Sequence, residues 1–221
     1  MFSYSYLLLI LVTTIIGVAA QSYVNRQLKK YSNAGCSLRW NGVQAGQMML
    51  AANGVSGVPF RQGGQNQDHF DPRDNSITLD PHAYSYTSIT AVATACHEVG
   101  HACQYAQGYT PMKIRSAMVP VVNFASQSWM ILLLAGIFLN LVGLIDVAIA
   151  LYAFAVIFQL VTLPVEFNAS GRALRYLKGI GLPEAERDGA ASVLRACALT
   201  YVAAALMSIL QLLWLIGMRD R

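Results

Sequence analysis

The stretch Ala117–Val165 reads AMVPVVNFASQSWMILLLAGIFLNLVGLIDVAIALYAFAVIFQLVTLPV and carries one charged residue, Asp146. A helix crosses the hydrocarbon of a bilayer in roughly 20 residues. The run is therefore too long for one span and suits two. Asn140 and the stretch Gly143–Asp146 supply the polar break of a tight hairpin, so spans are expected near 119–140 and 147–164. Two further charge gaps flank this one. Residues 1–25 hold no charge, and Leu7–Ala20 is almost wholly apolar, with Tyr4, Tyr6 and Tyr23 where interfacial aromatics belong. Ala196–Met218 is the last gap, with Trp214 near its end. A cleaved signal peptide needs a basic segment before its apolar run, and none precedes Leu7. Four membrane helices are expected, the first one retained.

Composition agrees. Of 221 residues, 55% are hydrophobic and 12% charged, against roughly 45–50% and about 25% in soluble domains. So little charge argues against a soluble monomer, and so much apolar content against disorder. A net charge of +4 is too modest to indicate nucleic acid as a partner. The bases gather instead: Arg26, Lys29, Lys30, Arg39, Lys113, Arg115, Arg172, Arg175, Lys178, Arg187 and Arg195 all fall on one side of this arrangement. Positive charge marks the cytoplasmic side. Arg219 and Arg221 then lie on the opposite side, beside Asp220.

The expected organisation is a first transmembrane helix over 1–25, a cytoplasmic part over 26–116, and a transmembrane hairpin over 117–165. A cytoplasmic helical segment over 166–195 and a fourth transmembrane helix over 196–218 follow. Within the cytoplasmic part, Trp40-Asn41-Gly42 reads as a turn and Val43–Ala52 as a helix stopped by Asn53-Gly54. Val55–Arg61 and Ser76–Leu79 read as strands, with a turn at Asp71–Asn75 between them. Ser85 or Thr87 can cap a helix from about Ser88 to Ala106.

That last helix carries the chemistry, in the sequence His97-Glu98-Val99-Gly100-His101. Histidines four residues apart stand one above the other on a helix, so both rings can reach a single Zn²⁺. Glu98 lies next to them round the helix and can hold a zinc-bound water without ligating the metal. Zinc would acidify that water, and Glu98 would accept its proton as a carbonyl is attacked. Gly100 costs helix stability, about 1 kcal/mol against Ala, which makes sense where something approaches the helix backbone closely.

A catalytic zinc takes three protein ligands and keeps a fourth position open. No third His follows the motif before Gly108. Glu166 is the stronger candidate: it comes just after Pro164, where the chain returns from the hairpin, and is the only carboxylate between Asp146 and Glu184. The bland alternative is that Glu166 complements the dipole of a helix starting at Pro164. A set of His97, His101 and Glu166 is of the gluzincin kind.

Several segments together resemble the bacterial membrane zinc metallopeptidases of the YugP-like, neutral zinc metallopeptidase family. They are Asn53-Gly54, Asp68-His69-Phe70-Asp71-Pro72-Arg73, the HEVGHA stretch 97–102, Leu163-Pro164-Val165-Glu166-Phe167 and Leu199-Thr200-Tyr201-Val202-Ala203. The resemblance spans nearly the whole chain. It implies a membrane-bound zinc peptidase with a zincin-like domain and Glu166 as third ligand. Related gluzincins place an Asp four residues after that Glu to orient a ligand His; here the position is Ser170. Asn168 stands where Asp is expected, Gly171 where Arg is expected, and Cys96 where a small apolar residue is usual.

Cys36, Cys96, Cys103 and Cys197 fit no zinc-knuckle spacing and read as buried inert thiols. His69 and His82, with Tyr84 and Tyr86, are candidates for stabilising an oxyanion. The Ser76–Leu79 strand, just before the active helix, offers an edge on which an extended peptide could pair. The expected protein is thus mainly α, polytopic, with about four transmembrane helices and a small α+β zincin-like cytoplasmic domain. Its expected activity is zinc-dependent endopeptidase action at the cytoplasmic face of the bacterial cell membrane, on membrane-associated or misfolded proteins or peptides. The alternative is a zinc-stabilised membrane scaffold or adaptor without turnover.

Overall fold

The computed structural model describes residues 4–219. In chain order the elements are α1 (Tyr4–Ser32), α2 (Gly42–Ala52), β1 (Phe60–Gln62), β2 (His69–Asp71), β3 (Ser76–Leu79), α3 (Pro81–Ser85), α4 (Ile89–Ala106), α5 (Thr110–Phe138), α6 (Val142–Gly179) and α7 (Glu184–Arg219). The chain is mainly helical with a small three-stranded sheet. Among the described residues four helices, α1, α5, α6 and α7, are long and apolar enough to cross a membrane. All four outrun the charge gaps that marked them, continuing as helix into the charged residues beyond. Pro164, which read as the end of a span, sits inside α6.

The chain forms two compact units, each described by itself. The apolar unit holds the described residues up to Gln21, then Ile114–Leu163, then the chain from Thr200 onward. Here α5 and α6 make the expected hairpin. Asn140 turns the chain with φ 53°, a left-handed conformation that Asn tolerates better than most residues. The break is narrower than the sequence suggests, because helix resumes at Val142 rather than after Asp146. Gly136 lets the two arms close: a Cβ there would sit 2.7 Å from Ile145 Cγ1 and 3.0 Å from Ile145 N. Asp146 at the hairpin tip pairs with Arg219 at the end of α7, Nε to Oδ1 2.9 Å.

The second unit holds Ser22–Lys113 and Pro164–Leu199. Its sheet has the order β1-β3-β2, β1 parallel and β2 antiparallel to β3. This corrects two expectations. The strand expected over Val55–Arg61 shrinks to β1 because Gly57, at φ +73°, interrupts the extended chain. Residues Ser76–Leu79 offer no edge for a peptide: β3 is the central strand, with β1 and β2 on its two sides. His69 opens β2, and His82 lies in the short helix α3 capped by Asp80.

Helix α4 is the centre of this unit. Ser88 caps it, its hydroxyl accepting from the Ala91 N–H at 3.1 Å. Its sequence is rich in small residues, and Ala91, Ala93, Ala95, Cys96, Ala102 and Cys103 are all buried. Small side chains let neighbouring backbones approach. The closest approach is at Gly100, where a Cβ would fall 2.7 Å from Ala169 O and 3.0 Å from Ala169 Cα on α6. The feature that crowds Gly100 is therefore the protein's own helix. All four cysteines are free; Cys36, Cys96 and Cys103 are buried and Cys197 partly so.

Candidate metal centre

The contact of Gly100 with Ala169 determines which side chains meet. His97 and His101 flank Gly100 on α4, and Glu166 and Ser170 flank Ala169 on α6. Each pair is four residues apart, hence stacked on one helical face. Crossing the two helices at Gly100 and Ala169 sets one pair against the other. Glu166 Oε2 lies 3.2 Å from His97 Nε2 and 3.5 Å from His101 Nε2. The two imidazoles meet edge to face, centroids 4.7 Å apart. One donor atom from each of His97, His101 and Glu166 falls within 4.8 Å of the other two. Because α6 is continuous through Pro164, Glu166 is not in the first turn of a helix, and the dipole explanation for it lapses.

The far side of each ring is tied as well. His97 Nδ1 faces Ser170 Oγ at 3.1 Å, and His101 Nδ1 faces Gln104 Oε1 at 3.0 Å. Gln104, fully buried, donates its Nε2 to Val165 O at 2.8 Å and Asn168 Oδ1 at 3.0 Å. Those two acceptors hold its oxygen toward His101, so Nδ1 of His101 donates and Nε2 keeps its lone pair. Asn168 Oδ1 also accepts from Arg172 Nε at 2.8 Å. Gln104 escaped the sequence reading; its signal was its place three residues after His101 on the same helix. Ser170 does stand where an orienting group was expected.

Glu98 is 7% exposed. Burial pushes its pKa up to about 7, against a lowering by the neighbouring His97. A carboxyl so tuned exchanges protons near neutrality. The remaining candidates lie apart from this group. His69 Nδ1 is directed to Gln67 O at 3.0 Å. The His82 ring stacks on Tyr86 at 4.6 Å, its Nε2 near Ser32 O at 3.4 Å.

The donor set suits zinc: two imidazole nitrogens, each ring orientated by a second contact, and one carboxylate oxygen. Three protein donors leave a fourth position for water or substrate. The apolar helices and the donor set together are those of a membrane protein whose His97, His101 and Glu166 could hold a metal ion.

The comparisons name the family. The model of the family described as "Putative neutral zinc metallopeptidase" matches residues 6–220, and the chain belongs to that family. It is 42% identical over 196 residues to the "Putative membrane protease YugP" of Bacillus subtilis (strain 168), covering 88% of this chain and 87% of that protein. No solved structure matches the chain.

Proposed function

We propose that the protein is a zinc-dependent endopeptidase of the bacterial cytoplasmic membrane. His97, His101 and Glu166 are its metal ligands and Glu98 its general base. The observation that carries this reading is the convergence of the three donor atoms within 4.8 Å, beside a buried carboxyl. The HEVGH helix against a small mixed sheet supports a zincin-like domain, and the His, His, Glu set supports the gluzincin type. A site built only for structure closes its zinc with four protein donors and has no use for a base.

Zinc, when bound here, would acidify a water and polarise the carbonyl of the scissile peptide bond. Glu98 accepts the proton of that water and returns it to the leaving amine. Its pKa, raised to about 7 by burial, suits it to both transfers. Ser170 and Gln104 hold the two rings in place throughout. Peptide or protein substrates reach the centre from the cytoplasm, a reading that the clustering of Lys and Arg residues supports.

Two variants test the reading. Glu98→Gln keeps the ligands and removes the base, so zinc content stays at one per chain while cleavage of unfolded casein falls by about 100-fold or more. Glu166→Ala loses zinc. Casein cleavage at the native rate by Glu98→Gln sinks the mechanism, and full zinc occupancy in Glu166→Ala removes the third ligand.

A further inference from the structure

Along residues 89–104 of α4 only Thr94 and His97 reach solvent; the rest are buried. They stand three apart and so share one face, with Thr90 a turn beyond Thr94. Thr94 thus marks the partly open surface of α4 one turn toward its N-terminus from His97. A cavity of about 270 Å³ lies there, lined among others by Thr90, Thr94, Lys29, Asp68, Asp80 and His82. One water occupies about 30 Å³ of liquid, so the space admits a long side chain. A neighbouring hollow shares Asp80 and His82 and extends it.

The polar groups of the cavity are acidic on balance. Asp68 Oδ1 accepts from the Asp80 N–H at 2.8 Å, and Asp80 Oδ1 from the Ala83 N–H at 2.6 Å. Among the described residues neither carboxylate has a Lys or Arg partner. Lys29, the one Lys or Arg in the lining, is exposed and pairs with neither. Burial pushes Asp68 up to about 6. A cation brought into the cavity would offset that desolvation. Thr94, which lines the cavity, stands one helical turn from His97 and Glu98 on α4.

We propose that this cavity is the specificity pocket of the peptidase, taking a lysine or arginine side chain of the substrate against Asp68. The inference rests on the peptidase reading. It is tested with the zinc-loaded full-length protein in detergent micelles, incubated with a peptide library from Glu-specific digestion of a proteome. Mass spectrometry reads the cut sites. Lys and Arg should be enriched at one fixed position from the cut bond. Asp68→Asn keeps the acceptor for the Asp80 N–H and removes the charge, so the enrichment should drop roughly 10-fold. Thr94→Lys, which sends a cation in from a partly exposed position, should lower it too. If library peptides are cut with no basic preference, or the preference survives both substitutions, the pocket assignment is overturned and the peptidase reading stands. If the zinc-loaded protein cuts nothing, both fall together.

Discussion

Gln104 offers a test of how the centre is held, because its role is legible only from its contacts. Its amide nitrogen donates to Val165 O and Asn168 Oδ1, and its oxygen accepts from His101 Nδ1, all between 2.8 and 3.0 Å. The side chain is completely buried. In Gln104→Ala, Asn168 Oδ1 keeps its bond from Arg172 Nε, but the His101 Nδ1–H loses its acceptor. Losing hydrogen bonds worth about 1 kcal/mol each and stranding one buried donor costs about 2–4 kcal/mol. His101 is then free to turn, and removing such an orienting group lowers metal affinity by about 10- to 100-fold. The assay is zinc titration of the purified protein against a competing chelator, with thermal unfolding of the same sample. Gln104→Glu is the informative companion. It keeps an acceptor for His101 but presents oxygen to Val165 O and Asn168 Oδ1, so it should lose stability more than zinc affinity. Native zinc affinity in Gln104→Ala, at whatever stability, would refute the orienting role.

The remaining predictions follow from the helix crossing, the cavity and the metal. Gly100→Ala drives a methyl against Ala169 O, where the Cβ would stand at 2.7 Å; it should cost about 1–3 kcal/mol and weaken zinc binding, since the crossing sets the ligand spacing. Unchanged zinc affinity there would separate the crossing from the site. Ser170→Ala should weaken zinc by about 10-fold, as it frees the His97 ring on one side but leaves Glu166 and the Gln104-held His101 ring in place; isothermal titration checks it. The acid form of Asp68 is favoured by folding, its pKa rising from 3.8 to about 6, so its charge costs the folded state nothing below pH 4 and its full amount above about pH 6. Asp68→Asn should therefore leave unfolding stability nearly unchanged at pH 4 and raise it at pH 7, by up to about 2 kcal/mol; a gain at pH 4 alone contradicts the burial argument. Removal of zinc with EDTA should lower the melting temperature and restore it on readdition, with no such response in Glu166→Ala.

Much of this site is written locally. His97, Glu98 and His101 occupy one turn and a bit of a single helix, so spacing alone reveals them. Glu166 was accessible through scarcity, being the only carboxylate in a long stretch of chain. The four apolar helices follow from where charge is missing. The sheet was harder, because three strands of three or four residues have little periodicity to display, and which strand is central depends on long-range pairing. Local sequence therefore suggests an edge where long-range pairing makes β3 central. Gln104 and the cavity were invisible for the same reason: their meaning comes from Val165, Asn168, Lys29 and Asp68, which are remote along the chain.

The glycine in the motif is where local and long-range information join. A Gly in mid-helix is a local cost, and by sequence it says only that something comes close. The structure identifies that neighbour as the backbone of Ala169. With Gly100 and Ala169 in contact, the residues one and three positions away on either helix have no freedom to meet elsewhere. His97 and His101 face Glu166, and Ser170 backs His97. A larger residue at Gly100 would separate the helices and open all these distances together. The helix crossing, more than any single ligand, is thus the element on which the metal geometry depends.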